Sequence, residues 1–387
     1  MDSFPTFVTV TVILLLLLVP QKPLSCQASN DDDRDGAESP VLGGCGIAAI
    51  YNFGDSFSDT GNALAEYPDG PMGNFPNGMT IHNATGRFCD GHLIIDHIAE
   101  AAGLPYLNPY LRKNLDQSKG TNFAVGGVGL LSNKTRTKLN VQLPFSQDSV
   151  DIQLNWLEEH LNRTFGDDET ARRNRLKSSL FIFTGGSGND YTNIRGNFSS
   201  PPLEKMKTII PDVVAAVKDY LKLIIEYGAS KIVVTGLYKA GCTVDVGLFH
   251  DYKPRCNTST NAVAARHNRI LKQELAELRK EFPGVLLVYG DMWGPTGWLL
   301  RHYRTLGFKQ PSDRFCCGNG SKACGSPGSP YCQNPQEYMF WDDRHLTDHS
   351  YQVIANLMIP RLAADLGCDN GHHPAHKEAY TSQHRLH

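Results

Sequence analysis

A buried strand that runs directly into a small-residue turn occupies the segment AIYNFGDSFSDTGN, residues 49–62. The apolar run before Gly54 is typical of a strand buried on both faces, and such strands belong to parallel sheets. Gly54 permits a tight turn at the end of the strand. Serine is a common turn and helix-capping residue, so Ser56 by itself is more often structural than catalytic. The segment predicts an α/β fold and leaves the role of Ser56 open.

Three further segments share this strand pattern. They are SLFIFT (179–184), KIVVTGL (231–237) and VLLVYGD (285–291). Each stands far enough along the chain from the next for a crossover helix, which parallel strands require. The sequence therefore predicts a central parallel sheet covered by helices on both faces.

Helical patterns lie between and after these strands, at 90–105, 211–229, 259–284 and 347–367. The first is expected to begin at Asp90, and the second to carry Pro211 in its first turn. Pro360 is expected to interrupt the last helix. Long irregular stretches at 63–80 and 308–336 predict loops over one rim of a single domain.

Composition excludes some classes of partner. The 387 residues include 37 Lys and Arg against 40 Asp and Glu, so no strong positive field attracts nucleic acid or an anionic membrane. With 41% hydrophobic residues the chain can bury a sizeable core. These values predict a globular protein without affinity for polyanions.

The two ends of the chain differ from its middle. Residues 1–28 carry an apolar run at 7–19 that is too short for a comfortable membrane span and predicts a cleaved secretory signal peptide. An uncleaved anchor is the alternative, because Asp2 and no basic residue precede the run. Residues 29–42 predict a disordered lead-in, 43–368 the folded domain, and 369–387 a flexible tail holding five of the 14 histidines. For this tail, metal binding and a sorting or processing role are the alternatives.

Two further features agree with secretion. Six N-x-[ST] sequons predict glycosylation at Asn83, Asn133, Asn162, Asn197, Asn257 and Asn319. Ten cysteines suit an oxidising compartment. We expect a disulfide between Cys242 and Cys256, and some pairing among Cys316, Cys317, Cys324 and Cys332. A zinc site is the competing interpretation of the second cluster.

Chemistry-bearing side chains follow the predicted strands, at the edge where parallel sheets bind ligands. Ser56 follows the first strand, Asn189 follows SLFIFT, and Asp342 and His345 stand three residues apart near the C-terminus. A serine nucleophile needs a base within hydrogen-bond reach and a third group that orients the base. His345 and Asp342 fit these roles, and Asp343 and His349 are the rival candidates. Thr347 is the expected N-cap of the final helix, which places the Asp-His pair in the loop before it.

Acyl transfer also needs hydrogen-bond donors for the developing oxyanion. Gly126 and Gly127 follow an apolar stretch in TNFAVGGVGLL, and Asn189 follows three glycines in TGGSGND. Tight packing is an equally good interpretation of the glycine pair. The patterns GxxxxGK[ST], GxGxxG and GxSxG are absent, which excludes the usual phosphate loops and the α/β-hydrolase nucleophile elbow.

These blocks resemble, in order and across nearly the whole chain, the plant secreted branch of the GDSL-type esterase/lipase family in the SGNH hydrolase superfamily. The resemblance rests on the motifs FGDSFSDTGN, GTNFAVGGVGLL, SLFIFTGGSGNDY and YMFWDDRHLTD. The family's fold is a flavodoxin-like three-layer α/β/α sandwich. Phe57 replaces the leucine of the family name, GLYKAGCTV lacks the prolines of the family's usual PPxGCxP segment, and Ser187 replaces a frequent glycine. These departures concern packing and the substrate pockets.

The resemblance implies a role for each site residue. Ser56 is the expected nucleophile, His345 its base and Asp342 the residue that orients the base. The oxyanion hole is expected to combine the Ser56 N–H, a backbone N–H at Gly126 or Gly127, and the Asn189 side chain. No cofactor and no metal ion are expected.

The sequence thus predicts a secreted serine esterase of the cell wall or apoplast, with the vacuole as an alternative, acting on acetyl, longer acyl or hydroxycinnamoyl esters. Its expected partner is a small-molecule ester, without nucleic acid and without stable membrane association after signal cleavage. An acyltransferase using the same site is one alternative. A catalytically idle defence or storage glycoprotein is another, disfavoured because all four polar site residues are present.

Overall fold

The computed structural model describes residues 40–142, 149–184, 188–194, 203–243 and 256–368. Within these ranges five strands form one all-parallel sheet in the order β2-β1-β3-β4-β5. The strands are β1 (Ala49–Phe53), β2 (Gly120–Asn122), β3 (Ser179–Thr184), β4 (Lys231–Thr235) and β5 (Leu286–Gly290). The predicted flavodoxin-like α/β fold with a central parallel sheet is confirmed.

The helices of the described ranges connect these strands. They are α1 (Asn62–Glu66), α2 (Ile94–Ala101), α3 (Asn133–Leu139), α4 (Val150–Phe165), α5 (Glu169–Lys177), α6 (Asn189–Thr192), α7 (Leu203–Tyr227), α8 (Thr258–Glu281), α9 (Trp293–His302) and α10 (Asp348–Asp365).

The sheet separates two apolar cores, as the two-residue period of a strand dictates. In β3, Phe181 and Phe183 pack with residues of α4, α7 and α8, whereas Leu180 and Ile182 pack with residues of α2 and α10. Helices therefore cover both faces, which makes the three-layer α/β/α sandwich. The arrangement leaves the carboxyl edge of the sheet to the loops that carry the polar residues.

The two proline-containing helices differ from the prediction. Pro211 lies well inside α7, which begins at Leu203, and Pro360 lies inside α10 without interrupting it. Both prolines are on the exposed side of their helix. An interior proline costs about 3 kcal/mol, because it removes a backbone hydrogen bond and crowds the preceding turn. The apolar stripe of each helix continues past the proline, and its burial offsets that cost.

Other boundaries also shift. The first predicted helix begins at Ile94 rather than at Asp90, because Asp96 accepts the Leu93 N–H and so closes the first turn. The short strand β2 and the helix α4 were not predicted. Helix α4 does carry a readable apolar stripe, which includes Leu154, Leu157 and Leu161.

The folded region begins earlier than predicted. Leu42 is completely buried and its N–H donates to Ala101 O at 2.7 Å, so it belongs to the domain and not to a disordered lead-in. Cys45 and Cys368 form a disulfide that joins the two ends of the described region. The predicted signal peptide, nearly all of the lead-in and the His-rich tail lie outside the described residues.

The remaining disulfides bear out the expected pairings. Cys242 pairs with Cys256. In the second cluster the pairs are Cys316 with Cys332 and Cys317 with Cys324. The sulfurs of that cluster are thus bonded to each other, and the zinc interpretation of it is wrong. Cys89 is a buried free thiol.

Five of the six sequons fall in the described ranges, and Asn197 lies outside them. Four of the five asparagines are exposed: Asn83, Asn133, Asn162 and Asn319. Asn257 is half-buried and caps α8 by accepting the Thr260 N–H at 3.0 Å. None of the helices in the described part of the chain combines the length and the apolar character needed to cross a bilayer.

Candidate active site

The residues that follow β1 and β3 lie side by side, because these two strands are neighbours at the centre of the sheet order. Strand order reverses between them, and open parallel sheets bind ligands in the crevice at such a point. Ser56 follows β1, and Asn189 is the first residue of α6 after β3. The topology therefore directs both predicted site residues to the same crevice.

The turn that carries Ser56 requires glycine at its first position. Gly54 has a φ of +151°, and a Cβ there would lie 2.7 Å from Thr184 Cβ and 2.8 Å from Ser58 Oγ. The Gln153 side chain of α4 binds both backbone groups of Gly54: Nε2 donates to the carbonyl at 2.7 Å, and Oε1 accepts the N–H at 2.9 Å. This buried pair fixes the peptide where β1 ends.

Sequence reasoning missed Gln153. The signal that could have found it is a lone glutamine on the apolar stripe of α4, where it is completely buried. A buried amide side chain must find hydrogen-bond partners, and here it finds them in the backbone of the turn. Gln153 is therefore part of the framework that presents Ser56.

Ser56, His345 and Asp342 form a chain of hydrogen bonds in the crevice. His345 Nε2 lies 2.8 Å from Ser56 Oγ. On the other side of the ring, Nδ1 lies 2.7 Å from Asp342 Oδ2 and 3.0 Å from Oδ1. Ser56 and His345 are each 7% exposed. A hydroxyl, an imidazole and a carboxylate in this order can perform nucleophilic catalysis.

Backbone hydrogen bonds in the loop before α10 fix the positions of Asp342 and His345 relative to each other. Asp342 Oδ1 accepts the N–H groups of Arg344 at 2.9 Å and His345 at 2.7 Å. The His345 carbonyl accepts from Trp341 N at 2.8 Å. Thr347 is the N-cap of α10, as predicted. The carboxylate thus orients both the loop backbone and the imidazole.

Burial and charge shift the pKa values of His345 and Asp342 in opposite directions. Burial disfavours protonated His345, but the charge and the hydrogen bond of Asp342 outweigh it, so the pKa of His345 is raised above its ordinary value. Burial likewise disfavours ionised Asp342, but the charge of His345 and the hydrogen bonds to the carboxylate hold the pKa of Asp342 below its ordinary value. Asp342 therefore stays ionised while His345 titrates.

The rival residues do not make this contact. His349 Nδ1 lies 2.9 Å from Gln336 O, and its ring stacks on Phe308 with a centroid distance of 4.2 Å. Asp342, rather than Asp343, is hydrogen-bonded to the His345 imidazole. The pair that sequence reasoning preferred is the pair that meets Ser56.

The Asn189 side chain reaches the same crevice. Its Nδ2 donates to Val128 O at 2.9 Å and to Asp55 Oδ2 at 3.3 Å. The second contact is long for a charge-assisted hydrogen bond. One of the two amide hydrogens is thus held weakly, next to the serine turn.

The two candidate glycines differ in what their backbone N–H groups do. The Gly126 N–H donates to Asp59 Oδ2 at 2.8 Å and is not available to a substrate. Gly127 has a φ of +83°, and its N–H has no acceptor among the described residues. Of the two alternatives, only Gly127 still offers a donor.

An apolar cavity opens onto Ser56, Asn189 and His345. Its other walls come from α6, α7, α8 and the segment after β4, and they include Tyr191, Met206, Leu237, Tyr238, Val263 and Ala264. Arg344 supplies a charged side chain at the wall. Mostly apolar walls with a few convergent polar groups are typical of small-molecule sites. In the described part of the chain, His, Cys, Asp and Glu side chains form no group of three that could hold a metal ion.

Comparisons with known proteins identify the family of the chain. The model of the GDSL-like lipase/acylhydrolase family matches residues 50–358, a range that includes Ser56, Asn189, Asp342 and His345. Acetylajmalan esterase 1 from Rauvolfia serpentina is 36% identical over 340 residues, which cover 84% of this chain and 89% of that protein. Sinapine esterase from Brassica napus is 33% identical over 328 residues, which cover 80% and 84%. The chain therefore belongs to the GDSL-like lipase/acylhydrolase family, a family of carboxylic ester hydrolases.

Proposed function

We propose that the protein is a secreted serine esterase that hydrolyses small-molecule carboxylic esters through an acyl-enzyme on Ser56. One observation carries the proposal: the hydrogen-bonded chain from Ser56 Oγ through His345 to Asp342 stands at the mouth of an apolar cavity. Neither a turn serine nor a surface Asp-His pair requires the other, so their meeting favours chemistry over a structural role.

The reaction follows from this order of groups. Ser56 Oγ attacks the ester carbonyl carbon while its proton passes to His345 Nε2, and Asp342 stabilises the imidazolium. The tetrahedral intermediate collapses, and the alcohol leaves with the proton from His345. Water then attacks the acyl-enzyme with His345 as base, and the carboxylic acid is released from Ser56.

Three donors are proposed for the oxyanion: the Ser56 N–H, the Gly127 N–H and Asn189 Nδ2. Among the described residues neither backbone N–H has an acceptor. The substrate oxygen replaces the 3.3 Å contact of Asn189 with Asp55, while the bond to Val128 keeps the amide in place. Donors aimed at the developing charge are worth about 2.7–4 kcal/mol each by mutagenesis.

The cavity walls favour an apolar acyl or alcohol group. Two relatives are named for acetylajmalan and for sinapine, so their substrates differ. A screen of acetyl, longer acyl and hydroxycinnamoyl esters identifies the preferred group here. Incubation with a candidate alcohol acceptor, followed by product analysis, separates hydrolysis from acyl transfer.

Secretion is supported by four disulfides and by exposed sequons. Expression of the full chain in plant cells is expected to deliver a glycosylated protein to the medium or wall. Removal of N-glycans should then increase its electrophoretic mobility. Retention of an unglycosylated protein inside the cell would contradict this part of the proposal.

Ser56→Ala is the decisive variant. It should fold normally, lose ester hydrolysis, and lose labelling by a fluorophosphonate probe. Ser58→Ala is the matched control, because Ser58 lies on the same turn and its hydroxyl accepts a hydrogen bond from Thr184 at 3.2 Å. The control should keep both properties. Persistent turnover by pure Ser56→Ala protein would falsify the assignment.

A further inference from the structure

Three separate segments supply the proposed oxyanion donors. Ser56 lies in the turn after β1, Gly127 lies in residues 126–131, named here the glycine loop, and Asn189 begins α6. Such donors must keep their relative positions while charge develops, because a misplacement of about 1 Å can cost a factor of about 100 in rate. The oxyanion hole therefore requires contacts that hold the glycine loop in place relative to the other two segments.

A buried carboxylate joins the serine turn to the glycine loop. Asp59 follows Ser56 by three residues and is completely buried. Its Oδ1 accepts two N–H groups at the beginning of α1, each at 2.7 Å. Its Oδ2 accepts the Ala63 N–H at 3.0 Å and the Gly126 N–H at 2.8 Å. The last of these bonds holds the residue directly before Gly127.

A second buried carboxylate joins the other end of the glycine loop to α6. Asp190 follows Asn189 directly and is 3% exposed. Its Oδ2 accepts the Leu130 N–H at 2.7 Å, and its Oδ1 accepts the Leu131 N–H at 3.2 Å. The Tyr220 hydroxyl also donates to Leu130 O at 2.9 Å. The loop is thus held on both sides of Gly127.

We propose that Asp59 and Asp190 are positioning residues that set the Gly127 N–H relative to Ser56 and Asn189. The inference rests on the proposed function, since it assigns the parts of that oxyanion hole. Asp59 fixes the loop to the turn, and Asp190 fixes it to α6. The bond from Asn189 Nδ2 to Val128 O holds the Asn189 side chain against the same loop. Neither Asp59 nor Asp190 lines the cavity at Ser56. Each acts through a backbone N–H.

The test uses Asp59→Asn and Asp190→Asn in the full chain. A carboxamide keeps one acceptor oxygen but turns an NH₂ group toward the other N–H donors, so part of each clamp is lost. We expect kcat for p-nitrophenyl acetate to fall about 10- to 100-fold, because displaced oxyanion donors act in the transition state. KM should stay unchanged. Affinity for a trifluoromethyl ketone, which forms a tetrahedral adduct with the nucleophile, should fall by the same factor as kcat.

Two further variants separate positioning from general loss of stability. Tyr220→Phe removes only the hydroxyl that supports Leu130, so it should give a smaller fall in kcat with the same unchanged KM. Asp96→Asn is the control: Asp96 is an equally buried carboxylate, but it binds Arg87 at 2.7 and 3.0 Å. That variant should lower Tm while kcat per folded enzyme and ketone affinity stay at wild-type values.

The outcomes are distinct. Unchanged kcat and ketone affinity in folded Asp59→Asn and Asp190→Asn proteins would overturn the inference while leaving the esterase intact. Equal losses in the Asp96→Asn control would overturn it as well, because destabilisation alone would then explain them. Wild-type protein that neither hydrolyses esters nor labels at Ser56 would instead reject the proposed function.

Discussion

His345 Nε2 lies 2.8 Å from Ser56 Oγ, although 289 positions separate the two residues in the chain. They meet because the turn after β1 and the loop before α10 both lie at the carboxyl edge of the sheet. Phe57 and Phe88 pack against the imidazole, with ring centroids 5.4 and 5.2 Å away. Packing and hydrogen bonds together hold the imidazole toward the serine.

Asp342→Asn should lower kcat strongly and leave the fold intact. The amide can still accept the backbone N–H groups of the loop, but it can favour the tautomer of His345 that turns a proton toward Ser56. In a known Ser-His-Asp enzyme the same change costs a factor of about 10⁴ in kcat. Steady-state kinetics on an activated ester, with circular dichroism for folding, measures the effect.

The matched control is Asp343→Asn, which changes a neighbouring carboxylate that does not bond to the imidazole. Its kcat should remain close to that of the wild type. If the two variants lost similar activity, the specific role of Asp342 would be wrong.

The pH dependence of kcat/KM should report the raised pKa of His345. Below that pKa the imidazole is protonated and cannot accept the serine proton, so activity rises with pH as the free enzyme loses this proton. The midpoint of the acid limb is expected above the ordinary histidine value of about 6.5. The charge of Arg344 opposes protonation of His345. Arg344→Gln should therefore move the midpoint to higher pH, and a shift to lower pH would contradict the assignment.

Four of the five strands could be predicted because each is marked by a short apolar run in the local sequence. β1, β3, β4 and β5 are short apolar runs, and any strand buried on both faces must be apolar. The strand β2 has only three residues, Gly120–Asn122, and it exists through its pairing with β1. The start of α7 was missed for a related reason: burial of its apolar stripe outweighs the local preference of Pro211.

At the site, the polar side chains could be predicted from the sequence, whereas the directions of the backbone N–H groups could not. Ser56, Asn189, Asp342 and His345 stand at the ends of predicted elements, and the family resemblance gave their order. Which glycine offers an N–H depends on the bond between Gly126 and Asp59, which no spacing in the sequence reveals. Nor does any spacing in the sequence reveal the contacts of the Gln153 side chain with the backbone of Gly54.

Loss of the Cys45–Cys368 disulfide should destabilise the domain more than loss of Cys317–Cys324. The first pair is separated by 323 residues and the second by 7. In the chain-entropy model this difference corresponds to about 3 kcal/mol in the free energy of unfolding. Urea unfolding of the two double Cys→Ser variants, without reductant, gives the comparison. Equal midpoints would show that the long link does not restrict the unfolded chain as the model requires.

Phe57→Leu should lengthen the acyl group that the enzyme accepts. Phe57 and Tyr238 line the cavity at Ser56, and they also line a second cavity, whose other walls include Ile94, Ile98 and Met292. The two rings lie 4.9 Å apart between centroids and separate the two cavities. Because the acyl group is bonded to the residue before Phe57 in the proposed intermediate, a shorter side chain gives it a route into the second cavity.

The measurement is the ratio of kcat/KM for p-nitrophenyl hexanoate to that for the acetate. Two additional buried methylenes at about 0.8 kcal/mol each would raise this ratio about 15-fold in Phe57→Leu. Ile98→Ala is the control, because it enlarges the second cavity behind an intact Phe57 and should leave the ratio at its wild-type value. Combined with Phe57→Leu it should raise the ratio further. A ratio that Phe57→Leu does not change, or that Ile98→Ala raises alone, would mean that the Phe57 ring does not separate the acyl group from the second cavity.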